Sequence, residues 1–186
     1  MAIFRRGSGR HEVAVAMTGV KLGDRLLQIG CRDPSLLAAI ASKVGLSGRA
    51  CVATTSEAEA DRARKAGERG GVLLEVERTT PGALPFEDAS FDLVVVDNLG
   101  GLLSNMKPET RVRWLQHAHR TLVPRGRIVV IERALRAGLG GLFRPGPINP
   151  HYGSSGGAET ALKAEGFKAV RHLAERDGMS FFEGIR

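Results

Sequence analysis

The chain has 186 residues, 42% of them apolar and 25% charged, and carries a formal net charge of +7. That length suits one α/β domain, which buries about 70% of its unfolded surface and needs no disulfide or metal staple. No apolar run reaches the ~18 residues of a membrane-spanning helix, so none is predicted.

The two cysteines, Cys31 and Cys51, lie in or beside apolar runs and form no CxxC pair. They read as buried, reduced thiols, which points to a cytoplasmic setting. The opening MAIFRRGSGR is basic but leads into no secretory apolar core. The basic excess favours anionic partners. It is not gathered in a Lys/Arg block, and one Trp and one Tyr offer little for base stacking. A solvated basic surface is preferred to a dedicated nucleic-acid site, with nucleic acid left open as a partner.

Strand-like and helix-like segments alternate along the chain. Residues 25–30 (RLLQIG) read as a first buried strand, and 34–44 as a helix with Asp33 as N-cap and Pro34 at its first position. Residues 50–54 (ACVAT) form a second strand. Residues 56–69 form a second helix, with Ser56 and Glu59 spaced as a capping box. A third strand is placed at 72–76 (VLLEV), and the strongly apolar 91–96 (FDLVVV) is assigned to the sheet centre. Helical periodicity through Val112, Leu115, His119 and Leu122 covers 108–122. Pro124-Arg125-Gly126 turns the chain into a fifth strand at 127–131.

The rhythm then changes. Ten of the twenty residues from 138 to 157 are Gly or Pro, which predicts a long irregular loop. A short helix at 158–165 follows. Two strand-like runs then flank Asp177-Gly178, a hairpin signal. The predicted fold is a single three-layer αβα, Rossmann-like sandwich over 1–186. Its seven-stranded sheet is mostly parallel and ends in an antiparallel hairpin. It divides into an N-terminal segment (1–19), a core (20–132), the Gly/Pro-rich loop (138–157) and a terminal helix and hairpin (158–186).

Ligands of doubly wound sheets bind at the carboxyl ends of the strands. Around those ends four segments, VKLGDRLLQIGC, GRACVATTSEAEADRARKAG, LPFEDASFDLVVVDN and LQHAHRTLVPRGRIVVIE, together resemble the class I S-adenosylmethionine-dependent methyltransferases, especially the type 11 group. The resemblance implies methyl transfer from S-adenosylmethionine to a small or medium-sized acceptor, with residues 20–132 as the cofactor-binding core. It also implies cofactor contacts at Gly30, Cys31, Thr54, Thr55, Thr80, Asp97 and Asn98. It names no catalytic residue and no metal.

Three positions depart from the family pattern. The G-x-G-x-G loop reads Gly30-Cys31-Arg32-Asp33-Pro34, so its second and third glycines are absent. Thr54 stands where the family carries the acidic residue that grips the ribose, and Thr80 where an acidic residue often lies near the adenine. A family member that binds a ligand or partner without catalysis is therefore the alternative.

Other motifs carry less. A nicotinamide dehydrogenase would need G-x-G-x-x-G after the first strand, and a Tyr-x-x-x-Lys pair that Tyr152 and Gly156 do not supply. Residues 153–157 match G-x-S-x-G by letter but follow no strand, so they read as a linker rather than a nucleophile elbow. Asn149-Pro150-His151-Tyr152 is similar to the N-P-P-Y of amino-methylating enzymes, but lies after the fifth strand rather than the fourth. His151 and Tyr152 are the proton-transfer candidates of the loop, which reads equally as a mobile lid over the acceptor site or as a slack connector to the terminal helix. His117 and His119 do not share a helix face, which argues against a metal pair.

Overall fold

The computed structural model describes residues 11–134 and 150–186. In chain order the elements are α1 (Glu12–Thr18), β1 (Arg25–Ile29), α2 (Pro34–Ala41), β2 (Arg49–Thr54), α3 (Glu57–Gly70), β3 (Glu75–Arg78), β4 (Phe91–Asn98), α4 (Pro108–Thr121), β5 (Leu122–Arg133), α5 (Pro150–Ser154), α6 (Gly157–Ala164), β6 (Lys168–Arg176) and β7 (Met179–Ile185). The seven strands form one sheet in the order β3-β2-β1-β4-β5-β7-β6. The first five pair in parallel, and β7 runs antiparallel to both β5 and β6. The expected mostly parallel sheet with a terminal hairpin is therefore present, with Asp177 and Gly178 at φ +53° and +74° in the turn.

β4 is central: all of its residues but Asp92 are buried, and its apolar Phe91 and Leu93 to Val96 fill both faces, as a strand covered on both sides requires. Val94 and Val96 pack with Trp114, Leu115 and Ala118 of α4 and Ala158 and Leu162 of α6. Leu93 and Val95 pack with Ala14 of α1 and Leu36 and Ile40 of α2. These two cores give the three layers. Each fully buried Val or Leu contributes about 1.5–3 kcal/mol through apolar area removed from water.

Local signals place the start of α2 and both ends of α3. The Asp33 carboxylate accepts from the amides of Ser35 and Leu36, with Pro34 opening α2. The Ser56 hydroxyl accepts from the Glu59 amide and starts α3, and Gly71 ends it in a left-handed conformation.

Several boundaries differ from the sequence reading. β3 begins at Glu75 rather than Val72, because the Val72 amide is spent on Gly67 O in the helix cap and Leu73 points to solvent. α2 stops at Ala41, short of Val44. The buried face of α4 is Trp114, Leu115, Ala118 and Thr121, while Val112 is exposed and His119 rests edge-on against Phe167. β5 takes in Pro124-Arg125-Gly126 as an irregularity, with Arg125 at φ +66°, and runs from Leu122 to Arg133.

The loop expected over 138–157 lies partly outside the described residues, from 138 to 149. Its remainder is not slack. Residues 150–154 form the short helix α5, and Tyr152 is buried in the core. No strand leads into Ser155, so the G-x-S-x-G letters do not build a nucleophile elbow.

Candidate functional site

The strand order reverses direction between β1 and β4, which opens a crevice at their carboxyl ends. Gly30 leaves β1 there at φ +85°, its amide donating to Ala53 O at 2.8 Å. A Cβ at Gly30 would fall 3.0 Å from Leu102 Cδ2 and 3.3 Å from Asp97 O, so both the space and the positive φ select glycine.

Cys31 follows, fully buried, and burial followed by the nearby Asp97 charge pushes its thiol up to about 12. It contributes backbone and packing, not a thiolate.

The next two amides turn onto Asp97. Its carboxylate accepts from Arg32 N at 2.7 Å, Asp33 N at 3.1 Å and Leu99 N at 3.2 Å. Burial outweighs these bonds and raises the Asp97 carboxyl above the ordinary aspartate range. The turn that lacks two glycines is thus held by an internal carboxylate.

Asn98, one residue on, faces the opposite layer. Its Nδ2 donates to Glu132 Oε2 at 2.9 Å, and its Oδ1 accepts from Leu103 N at 2.8 Å. Burial raises the Glu132 carboxyl against the pull of its Asn98 bond. Tyr152 of α5 lies beside it under the Arg111 guanidinium, 5.0 Å from the ring centroid. The buried Tyr152 hydroxyl lies near the Glu132 carboxylate without a hydrogen bond of normal geometry, and burial followed by the Glu132 charge pushes the phenol up.

Thr54, at the end of β2, is fully buried, and its hydroxyl donates to Ser56 O at 3.4 Å. Thr55 is half-buried and Thr80 exposed. The buried hydroxyl after β3 belongs instead to Thr79, which bonds Thr54 O.

The structure therefore brings Gly30, Cys31 and Asp97 into one cluster. Thr54 at the end of β2 and Thr55 just after it stand beside the cluster, Thr80 stands beyond β3, and Asn98 turns to the other face. Sequence reasoning missed Gln28 and Glu132. Gln28 is almost wholly buried. Its Nε2 donates to Gly30 O at 3.1 Å, while its Oε1 has no partner. A glutamine inside an apolar strand was the available signal for it.

An orphaned acceptor beneath a glycine turn fits a ligand that brings a cationic donor to the switch point. The same edge offers the half-buried hydroxyl of Thr55 to a polar ligand.

These features define a Rossmann-like domain with a crevice at the carboxyl ends of β1, β2 and β4. A family model described as a methyltransferase domain matches residues 26–126, more than half of the chain, and the chain belongs to that family. No curated protein matches the chain in sequence. A S-adenosylmethionine-dependent methyltransferase from Aquifex aeolicus is similar in fold at 16% identity, with a TM-score of 0.73 over 95% of this chain and 89% of that one. Another, from Mesorhizobium loti, has 21% identity and a TM-score of 0.62 over 96% and 98%. The [4+2]-cyclase SpnF also shares the fold, at 16% identity and a TM-score of 0.63 over 96% and 80%. Among the described residues no helix is long and apolar enough to cross a membrane.

Proposed function

We propose that the chain binds S-adenosylmethionine at the carboxyl edge of β1, β2 and β4 and transfers its methyl group to a small-molecule acceptor. The observation that carries this reading is the left-handed Gly30 turn at the switch point, in a chain whose family is that of methyltransferase domains. The cofactor supplies an electrophilic methyl on a sulfonium. Gly30 and Cys31 lend close backbone approach, and Gln28 Oε1 is an acceptor for its ammonium. Thr54 and Thr55 flank the ribose, Thr80 the outer rim, and Asp97 and Asn98 the side toward the acceptor. Positioning supplies much of the rate in an in-line displacement, so the reading needs no dedicated base. The free cysteines suit a reducing cytoplasm.

A second reading is that of a ligand-binding member without catalysis. It is favoured by Asp97, which already occupies the amides of Arg32 and Asp33. Titration with S-adenosylhomocysteine tests the first reading at its base, since both transfer and cofactor binding fail together if the ligand does not bind.

A further inference from the structure

An open cleft of about 640 Å3 lies on the α1 side of the same sheet edge. That volume is in the range of small-molecule sites. One wall is the start of α2, with Arg32, Asp33 and Pro34. The other is the end of β5 and the β6–β7 turn, with Arg133, Asp177 and Met179. Arg133 pairs with Met179 on the last rung of the β5–β7 ladder, so the hairpin turn fixes its backbone. The Arg32 stem lies across Gly100, whose added Cβ would fall 3.2 Å from Arg32 Cδ.

The two guanidiniums are unspent. Arg25, Arg49, Arg64, Arg120, Arg127 and Arg171 each sit on a carboxylate. Arg32 and Arg133 have no side-chain hydrogen bond or ion pair among the described residues. The acids nearby do not answer them. The Asp33 carboxylate is engaged by Ser35 and Leu36, with His11 Nε2 at 3.8 Å. Asp97 is turned inward onto backbone amides. Asp177 is exposed in its turn. Pro34, Leu99 and Met179 add apolar surface.

We propose that Arg32 and Arg133 form a binding site for an anionic group, a carboxylate or phosphate borne on a small, partly apolar molecule. Guanidinium forks match both anions with paired N–H donors. The cleft itself does not depend on the methyltransferase reading. Assigning its anion does rest on that reading: it is either the terminal carboxylate of the cofactor or a charged group of the acceptor.

The test is a titration of the 15N-labelled chain with inorganic phosphate at constant ionic strength, followed by amide shifts. Saturable shifts are expected at Arg32, Asp33, Leu99 and Gly178. The apparent Kd should rise at least tenfold in Arg32→Gln and in Arg133→Gln, and stay unchanged in Arg69→Gln, on the distant α3. Shifts scattered over the surface arginines, or an unaltered Kd in the double variant, would overturn the site.

Repeating the titration with S-adenosylhomocysteine and with 5′-methylthioadenosine, which lacks the amino-acid part, separates the two sources. Displacement of phosphate by the first compound alone assigns the anion to the cofactor. Phosphate bound beside S-adenosylhomocysteine assigns it to the acceptor. Phosphate binding with no nucleoside binding would leave the site standing and remove the methyltransferase reading.

Discussion

The Asp97 carboxylate accepts a 2.7 Å hydrogen bond from the backbone amide of Arg32, tying the end of β4 to the turn that leaves β1. The same carboxylate holds the Asp33 and Leu99 amides. A turn with one glycine where its family has three is therefore stabilised from a neighbouring strand.

Asp97→Ala leaves those amides without a protein acceptor in a buried place. Each buried donor left unsatisfied costs about 1–3 kcal/mol, so with partial rescue by water the variant should lose about 3 kcal/mol in urea unfolding. Asp97→Asn, which keeps an oxygen acceptor, should lose less. A loss in Asp97→Ala under about 1 kcal/mol would show that the turn holds itself.

The Arg25–Asp92 pair gives a signed dependence on pH. Arg25 Nε and Nη2 each donate to Asp92 at 3.0 Å, and these bonds hold the carboxyl below its ordinary value. A depressed folded pKa contributes stability above the unfolded pKa and loses it as pH falls through the folded one. Arg25→Gln should raise the Asp92 pKa toward the ordinary range, as read by 13C-detected titration. Because both side chains are more than a third exposed, the stability difference at neutral pH should stay under about 1 kcal/mol. It should vanish in strong acid. A difference that grows with acidity contradicts the sign.

Tyr152 is buried by its ring, and its hydroxyl lies near the Glu132 carboxylate without a hydrogen bond of normal geometry. Tyr152→Phe should leave stability unchanged or raise it by up to about 1 kcal/mol, because a buried unpaired hydroxyl is removed. Tyr152→Ala should cost about 3 kcal/mol through the cavity. A loss of more than about 1 kcal/mol in Tyr152→Phe would place a hydrogen bond on that hydroxyl.

The alternation of apolar and helical segments carried most of the fold, because strands buried on both faces and capped amphipathic helices leave local marks. Asp33-Pro34, Ser56 and Asp177-Gly178 each announced a boundary that the structure keeps. β3 was misplaced because Val72, Leu73 and Leu74 look like a strand while the cap of α3 consumes the first of them. The helix α5 was hidden by its proline and glycine and by the Gly/Pro-rich run before it, and only the packing of Tyr152 against the core reveals it.

The candidate positions of the site come from a resemblance of motifs, but their connections were not legible there. Asp97 meets Arg32 across 65 residues and Asn98 meets Glu132 across 34, and such partners leave no local pattern. Thr54 shows the same limit. Its place at the end of β2 was evident, yet its hydroxyl is turned onto Ser56 O.

Calorimetric titration of the folded chain with S-adenosylhomocysteine, with amide shifts recorded on the same sample, tests the central claim most directly. The account predicts saturable binding at one site per chain, with the largest shifts at Gly30, Cys31, Thr55 and Asn98. Absence of heat at millimolar ligand together with an unchanged spectrum at those four residues would contradict it.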